Sequence, residues 1–276
     1  MKITTQFRLA REDYLYLINR GFPTKSALDF VGNHYQLGKD ERLLLFRGLR
    51  TTQAVLRMEH RLLEIPHAIN FCLQQQPDTI PNDAITSKQC MHSSLSESQP
   101  GDSREANSWL DHSILSHPIK PYALFVIDGY NVLGTIMSYL LGRMLFISND
   151  GIVRDIGAFH GKFSHEHALL EKAIALIAKT CSTYFPGCPF KIYLDEPVSQ
   201  SAEHRRMLLS AFEDYSVDIE VAIIHSADFG LVHEYTGILC SSDSAILDAT
   251  ENLILDLPRL ILERAFNAQI PHIDDL

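Results

Sequence analysis

Four aspartates of this chain stand where an apolar run gives way to a turn: Asp128, Asp195, Asp228 and Asp243. Asp128 directly follows Ala123-Leu-Phe-Val-Ile127, and Asp195 directly follows Phe190-Lys-Ile-Tyr-Leu194. Asp228 lies a short Ser-containing turn beyond the run 219–224, and Asp243 comes after Ile238-Leu239-Cys240 across two serines. Carboxylates gathered without cysteine or well-spaced histidine make a hard oxygen site, suited to Mg²⁺ or Mn²⁺. Such ions hold phosphates, activate water and stabilise a leaving oxygen in phosphodiester cleavage. Asn131 and Ser242 are the nearby groups that orient carboxylates by hydrogen bonds. The competing reading is that each Asp only caps the helix after it, since Asp is a favoured N-cap. Four at successive strand ends make coincidence a weaker explanation than one would.

The elements that must position these acids follow from the apolar pattern. The run 123–127 does not alternate, which indicates a strand buried on both faces, as in parallel sheets covered by helices. After it the pattern predicts a helix over 132–141, a short apolar strand at 144–148 and a turn at Asn149-Asp150-Gly151. A helix capped by Ser164 is expected over 165–183. Strand 190–194, helix 201–215, strand 219–224, a helical turn opened by Ser226-Ala227-Asp228, strand 238–240 and a last strand over 252–257 complete the series. Strands separated by helical crossovers mean an α/β fold with a doubly wound, mainly parallel sheet. Right-handed crossovers put all strand ends on one side, which is where ligand crevices lie.

The front of the chain is different. Helices are expected over 11–18, over 25–35 with Thr24 as N-cap, and over 40–63. They form a small all-α domain over residues 1–75. On one continuous helix Arg47, Arg50, Arg57 and Arg61 share a narrow arc. That arc reads either as a set of substrate-phosphate contacts or as a solvated face, and Gly48 with Thr51-Thr52 favours the latter by interrupting the phase. Residues 76–119 are polar, Ser-rich and turn-rich, too poor in apolar side chains to offset their ordering entropy, and read as a flexible linker. A short helix near Trp109 is the exception. The α/β domain then occupies 120–276.

Composition bounds the function. With 276 residues and 46% hydrophobic residues the chain can build two units with full cores. No apolar run approaches a membrane span or a secretory signal. Five scattered cysteines without a CxxC pair argue against zinc and a disulfide framework, and point to a reduced, cytoplasmic protein. The net charge of −10 argues against a protein that coats nucleic acid non-specifically. It is uneven, however: residues 1–75 hold eleven Lys/Arg against seven Asp/Glu, and the remainder thirteen against twenty-seven. His160-Gly161-Lys162 presents a cation and amides to a phosphate, so Lys162 is a candidate contact, but the Walker pattern is missing. There is no GxSxG nucleophile elbow.

Asp128-Gly129-Tyr130-Asn131, Leu194-Asp195, Ala227-Asp228 and Ser241-Ser242-Asp243, in that order, resemble the PIN-like nuclease superfamily, in particular its NYN branch and the YacP-like ribonucleases. The resemblance covers about 121–257. It implies a PIN-like fold, a Mg²⁺- or Mn²⁺-dependent endoribonuclease, and the four aspartates as catalytic metal ligands. It also implies a helical acid, for which Glu166 and Glu171 are both candidates; Asp248 and Glu196 are separate candidates for outer partners. One departure is Ser241, where Thr is commoner. The whole chain is similar to the domain-of-unknown-function family 434 with a PIN-like carboxyl half. That likeness rests on Gly21-Phe22-Pro23, Ser26-Ala27-Leu28, Val31-Gly32-Asn33-His34-Tyr35 and Glu41-Arg42-Leu43-Leu44, and in the back on 128–133, 149–151 and 195–199. The expectation is a metal-dependent ribonuclease whose helical front meets RNA or a partner such as a ribosome, away from membranes. The alternatives are a catalytically silent PIN-like module binding RNA or protein, and a small-molecule phosphoesterase.

Overall fold

A computed structural model of the chain describes residues 3–65, 68, 124–157, 163, 166–233 and 237–276. The expected linker 76–119, the helix near Trp109, Ser164 and Lys162 fall outside the described residues.

The front is helical: α1 (Phe7–Asn19), α2 (Thr24–His34), α3 (Lys39–Gly48) and α4 (Thr52–Glu59). Phe7, Ala10, Tyr14 and Ile18 recur at helical spacing on α1 and are all buried. Glu41 ties down the start of α3, accepting from the Gly38 amide at 2.9 Å and from the Thr4 amide at 2.7 Å. The single helix expected over 40–63 is instead two. Leu49 is extended, and Thr51 starts α4 afresh by accepting the Ala54 amide at 3.3 Å. Thr24 is the first helical residue of α2, with Pro23 at the cap position.

The back alternates strands and helices: β1 (Leu124–Asp128), α5 (Gly129–Leu140), β2 (Leu145–Ile147), β3 (Val153–Asp155), α6 (His167–Tyr184), β4 (Phe190–Asp195), α7 (Ser201–Glu213), β5 (Ile219–Ile224), α8 (Ala227–His233), β6 (Gly237–Cys240), α9 (Ser244–Ala249) and α10 (Leu257–Phe266). Four strands form one parallel sheet in the order β5-β4-β1-β6, and β2-β3 make a separate antiparallel hairpin. Both faces of the sheet are covered. Phe125, Ile127, Ile192 and Leu194 point to one side, among side chains of α5, α6, α7 and α10. Val126, Tyr193 and Leu239 point to the other, against Ala227 and Leu231 of α8 and Ile246 and Leu247 of α9. This two-sided burial is why the strand runs are continuous rather than alternating.

The back departs from expectation as well. Residues 252–257 form no strand: Ile254 makes single bridges to Leu62 and Leu239. Asp256 then caps α10, accepting the Arg259 amide at 3.0 Å, with Pro258 in the first turn. The helix expected from 165 begins two residues later, at His167. The front packs onto the back through shared core, since Phe146 of β2 and Ile273 lie in the same buried cluster as the side chains of α1, α2 and α3. Among the described residues no helix is long and apolar enough to cross a membrane.

Candidate functional site

From β1 the sheet grows through β4 to β5 on one side, and β6 lies on the other. The order therefore reverses between β1 and β6, and the crevice of a parallel sheet opens beyond the carboxyl ends of strands at such a reversal. Asp128 ends β1, and Ser241-Ser242-Asp243 leaves β6, so both stand at that point. Side chains alternate along a strand. Asp128 thus shares the face of Val126 and Asp195 that of Tyr193, the face covered by α8, with Asp228 in its first turn. Asp128 is in register with Tyr193, so Asp195 lies two residues farther out, roughly 6–7 Å along the strand. Gly129 lets α5 start against β4: a Cβ there would meet the Tyr193 carbonyl oxygen at 2.8 Å and Leu194 at 2.6 Å.

Hydrogen bonds lock the switch point. The Ser241 hydroxyl donates to Asp128 Oδ2 at 2.8 Å. Asn131 Oδ1 accepts both the amide and the hydroxyl of Ser242 at 2.9 Å. The Asp243 amide donates to Ser241 Oγ at 3.1 Å. Asn131 and Ser242 bond each other rather than a carboxylate, and so fix the turn that leads to Asp243. Two of the acids also serve local structure, since Asp243 Oδ1 caps α9 by accepting the Ala245 amide and Asp195 Oδ1 accepts the Ala227 amide, each at 2.7 Å.

The electrostatics couple the four acids. Asp128 is 6% exposed, and among the described residues no cation pairs with it. Burial pushes its carboxyl up to about 7, and the charges of Asp228 and Asp243 push the same way, against hydrogen bonds from Ser241 and the Asn131 amide. Asp228 is also raised, by partial desolvation and then by Asp243 and Asp195. Among the described residues no three His, Cys, Asp or Glu side chains are drawn together tightly enough to form a ready cage. The donor set nevertheless suits Mg²⁺, which keeps several waters and needs only one or two carboxylates directly. A buried carboxylate sharing the field of two others is a place where a dication replaces repulsion with attraction.

The remaining candidates fall elsewhere. Arg47 binds Asp155 at 3.0 Å, Arg50 binds Asp150 at 3.0 Å and Asp248, and Arg61 donates to the Leu247 and Asn252 carbonyls at 3.0 Å. These three guanidinium groups point into the protein, and the break between α3 and α4 removes the common arc, so they form neither the favoured solvated face nor the alternative stripe for substrate phosphates. Arg57 is exposed on α4. Glu171 pairs with His167 at 3.4 Å on α6, and Glu166 stands at the cap of the same helix, on the sheet face opposite the acids. Glu196 lies beside His225 at 3.7 Å.

Sequence reasoning passed over Asp150 and Arg154. Asp150 was legible only as a turn residue, yet its carboxylate is buried between Arg154, at 2.7 and 2.8 Å, and Arg50. Burial pushes the Asp150 carboxyl up, but Arg154, its hydrogen bonds and Arg50 outweigh that and hold it well below the usual carboxylate range. The signal available was Arg154 directly after the apolar pair Ile152-Val153 and before Asp155 and Ile156, a charge that needs a partner if the stretch is buried.

Residues 122–260 match the family described as "Domain of unknown function (DUF5616)". The chain belongs to that family. Residues 6–59 match a second description, "Protein of unknown function (DUF434)", in line with the motifs of the front. The chain is also 25% identical over 251 residues to the uncharacterized protein MJ0935 of Methanocaldococcus jannaschii, covering 90% of this chain and 92% of that one. No solved structure matches it. Neither family description names a PIN-like or NYN protein, so that likeness rests on the motifs and their order.

Proposed function

We propose that this DUF5616 family member is a metal-dependent ribonuclease of PIN-like type, with Asp128, Asp195, Asp228 and Asp243 around the ion. The observation that carries the reading is Asp128: a buried carboxylate at the topological switch point, held by Ser241 and pressed by two further acids. Asp128 and Asp243 are the acids to hold Mg²⁺ or Mn²⁺, with Asn131 and Ser242 keeping their spacing. Held there, a dication would supply polarisation of a phosphate and activation of water. Asp228, exposed and with a raised pKa, stands at the mouth of the crevice, where it can take the proton that a water nucleophile gives up. Phe229, its neighbour on α8, is 66% exposed, with His233 stacked behind it at 4.0 Å. Such a ring is a platform for a nucleobase, which favours a nucleic acid over a small phosphoester.

The test is Mn²⁺-dependent cleavage of end-labelled RNA by wild type and by Asp128→Asn. The variant should lose more than about 100-fold, beyond the 10–100-fold typical of removing an outer partner. Equal rates would sink the proposal. One observation favours a catalytically silent RNA- or protein-binding module instead: Asp243 and Asp195 are both engaged by backbone amides. That reading predicts RNA retention unaffected by chelation, with no cleavage.

A further inference from the structure

The chain between α3 and the end of the helical front is bonded to the same parts of the back that shape the acid site. At the hairpin, Asn149 takes the Arg50 amide on Oδ1 and donates Nδ2 to the Arg50 carbonyl, both at 2.9 Å, while its own amide reaches the Gly48 carbonyl at 3.0 Å. Arg50 then enters the interior, with one nitrogen on Asp150 and the other on Asp248 of α9. Asp150 passes the contact on to Arg154, whose Nε donates to the carbonyl of Ser242 at 3.0 Å. At the other end of α9, Arg61 donates to the Leu247 and Asn252 carbonyls at 3.0 Å and to Thr250 Oγ1 at 3.3 Å.

These contacts converge on a weak element. α9 is six residues long, too short to hold itself in water. Asp243 is its N-cap, and the Leu247 carbonyl near its other end takes the Arg61 cation, the favourable sign at a helix carboxyl end. Ser242 is gripped from both sides, by Asn131 of α5 and by Arg154 of β3. The side chains of Asp150 and Arg154 are 0% and 2% exposed, so this anchor has no water to slacken it.

We propose that Arg50, Arg61 and Arg154 are positioning residues for the turn 241–243, and that the helical front is a working part of the acid site. The proposal deepens the metal-site reading above and rests on it. The front is then not a substrate-binding appendage added to an independent domain, but the brace that sets Asp243 against Asp128.

The test uses the full chain, with Arg61→Gln, Arg61→Lys and Arg11→Gln. Arg11 also joins front to back, donating to the Ile273 carbonyl at 3.0 Å, but away from the acids. Hydrogen exchange is read on the metal-free protein, and Mn²⁺ affinity by paramagnetic titration. Arg61→Gln should speed exchange at the Asp243, Ala245 and Leu247 amides about tenfold, with β1 and β4 unchanged. It should weaken Mn²⁺ about tenfold. Lysine should restore part of both, and Arg11→Gln should alter neither. Unchanged exchange in the turn overturns the brace, and so does faster exchange with Mn²⁺ affinity intact, or an equal effect from Arg11→Gln. A wild type that takes up no Mn²⁺ overturns the underlying metal reading instead, a separate outcome because the exchange arm needs no metal. If Arg61→Gln folds poorly, Arg50→Lys, which keeps the charge but not the two-pronged reach, gives the same readouts.

Discussion

Asp128 is the residue on which charge, burial and position coincide, and its protonation gives it a signature in stability. Its carboxyl titrates near 7 in the folded protein, against the ordinary 3.8 when unfolded. Between those values the folded state binds a proton that the unfolded chain does not, so its stability contribution is full below about pH 4 and lost as pH rises through 7. Asp128→Asn removes that loss. In chelator the variant should be more stable than wild type at pH 8, on the order of 2–4 kcal/mol, with the difference vanishing near pH 4. Chemical denaturation at the two pH values measures this. A destabilised variant at pH 8 would mean that Asp128 is satisfied as an anion without metal. Asp256, pushed up to about 6 by burial, adds its own slope, which cancels in the comparison. At this scale the sequence carried much. Residue type and a strand-end position exposed Asp128, Asp195, Asp228 and Asp243, because a parallel sheet sends its strand ends one way. It did not expose Asp150 with Arg154 and Arg50, because spacing along a chain does not say which distant charges meet.

Among the elements, the strands were the most legible, since a buried parallel strand writes itself as an unbroken apolar run. The same signal misled at 252–257, where Leu253-Ile254-Leu255 is apolar because it lies buried beside β6 and Leu62 without joining a ladder. The start signal for α10, Asp256 followed by Pro258, was in the sequence and outweighed by that run. The helix expected over 40–63 breaks at Leu49–Thr51, where Gly48 and Thr51-Thr52 had signalled an interruption; what needed the fold was its use, since the chain leaves helical geometry there to reach the hairpin turn at Asn149. The junction of β1 and α5 has its own test. Gly129→Ala puts a methyl group against the Tyr193 carbonyl and Leu194. It should cost about 1–3 kcal/mol, the range for overpacking, and displace Asp128. A drop in denaturation midpoint without change of slope is the expected result; an unchanged midpoint would mean that α5 can ride away from β4.

At the scale of the molecule, front and back are one packed body where they are described. Phe146 and Ile273 sit within the core of α1, α2 and α3, Leu62 bridges to Ile254, and buried ion pairs cross between the two regions. Calorimetry and far-ultraviolet circular dichroism of the metal-free chain should therefore report one coincident unfolding transition. Two separated transitions would return the front to the status of an independent domain. The uneven charge takes on meaning here, because Arg47, Arg50 and Arg61 of the basic front are spent on the acidic back rather than offered to a ligand.

We propose that the carboxyl edge of the sheet holds a divalent cation through Asp128. Mn²⁺ titration followed by electron paramagnetic resonance tests it most directly, on wild type and Asp128→Asn at pH 6 and pH 8. Wild type should bind about tenfold more tightly at pH 8, because the ion competes with a proton on a carboxyl titrating near 7. The variant should bind far more weakly, with no pH dependence over that range. Equal affinity in the two proteins, or wild-type binding indifferent to pH, would contradict the account.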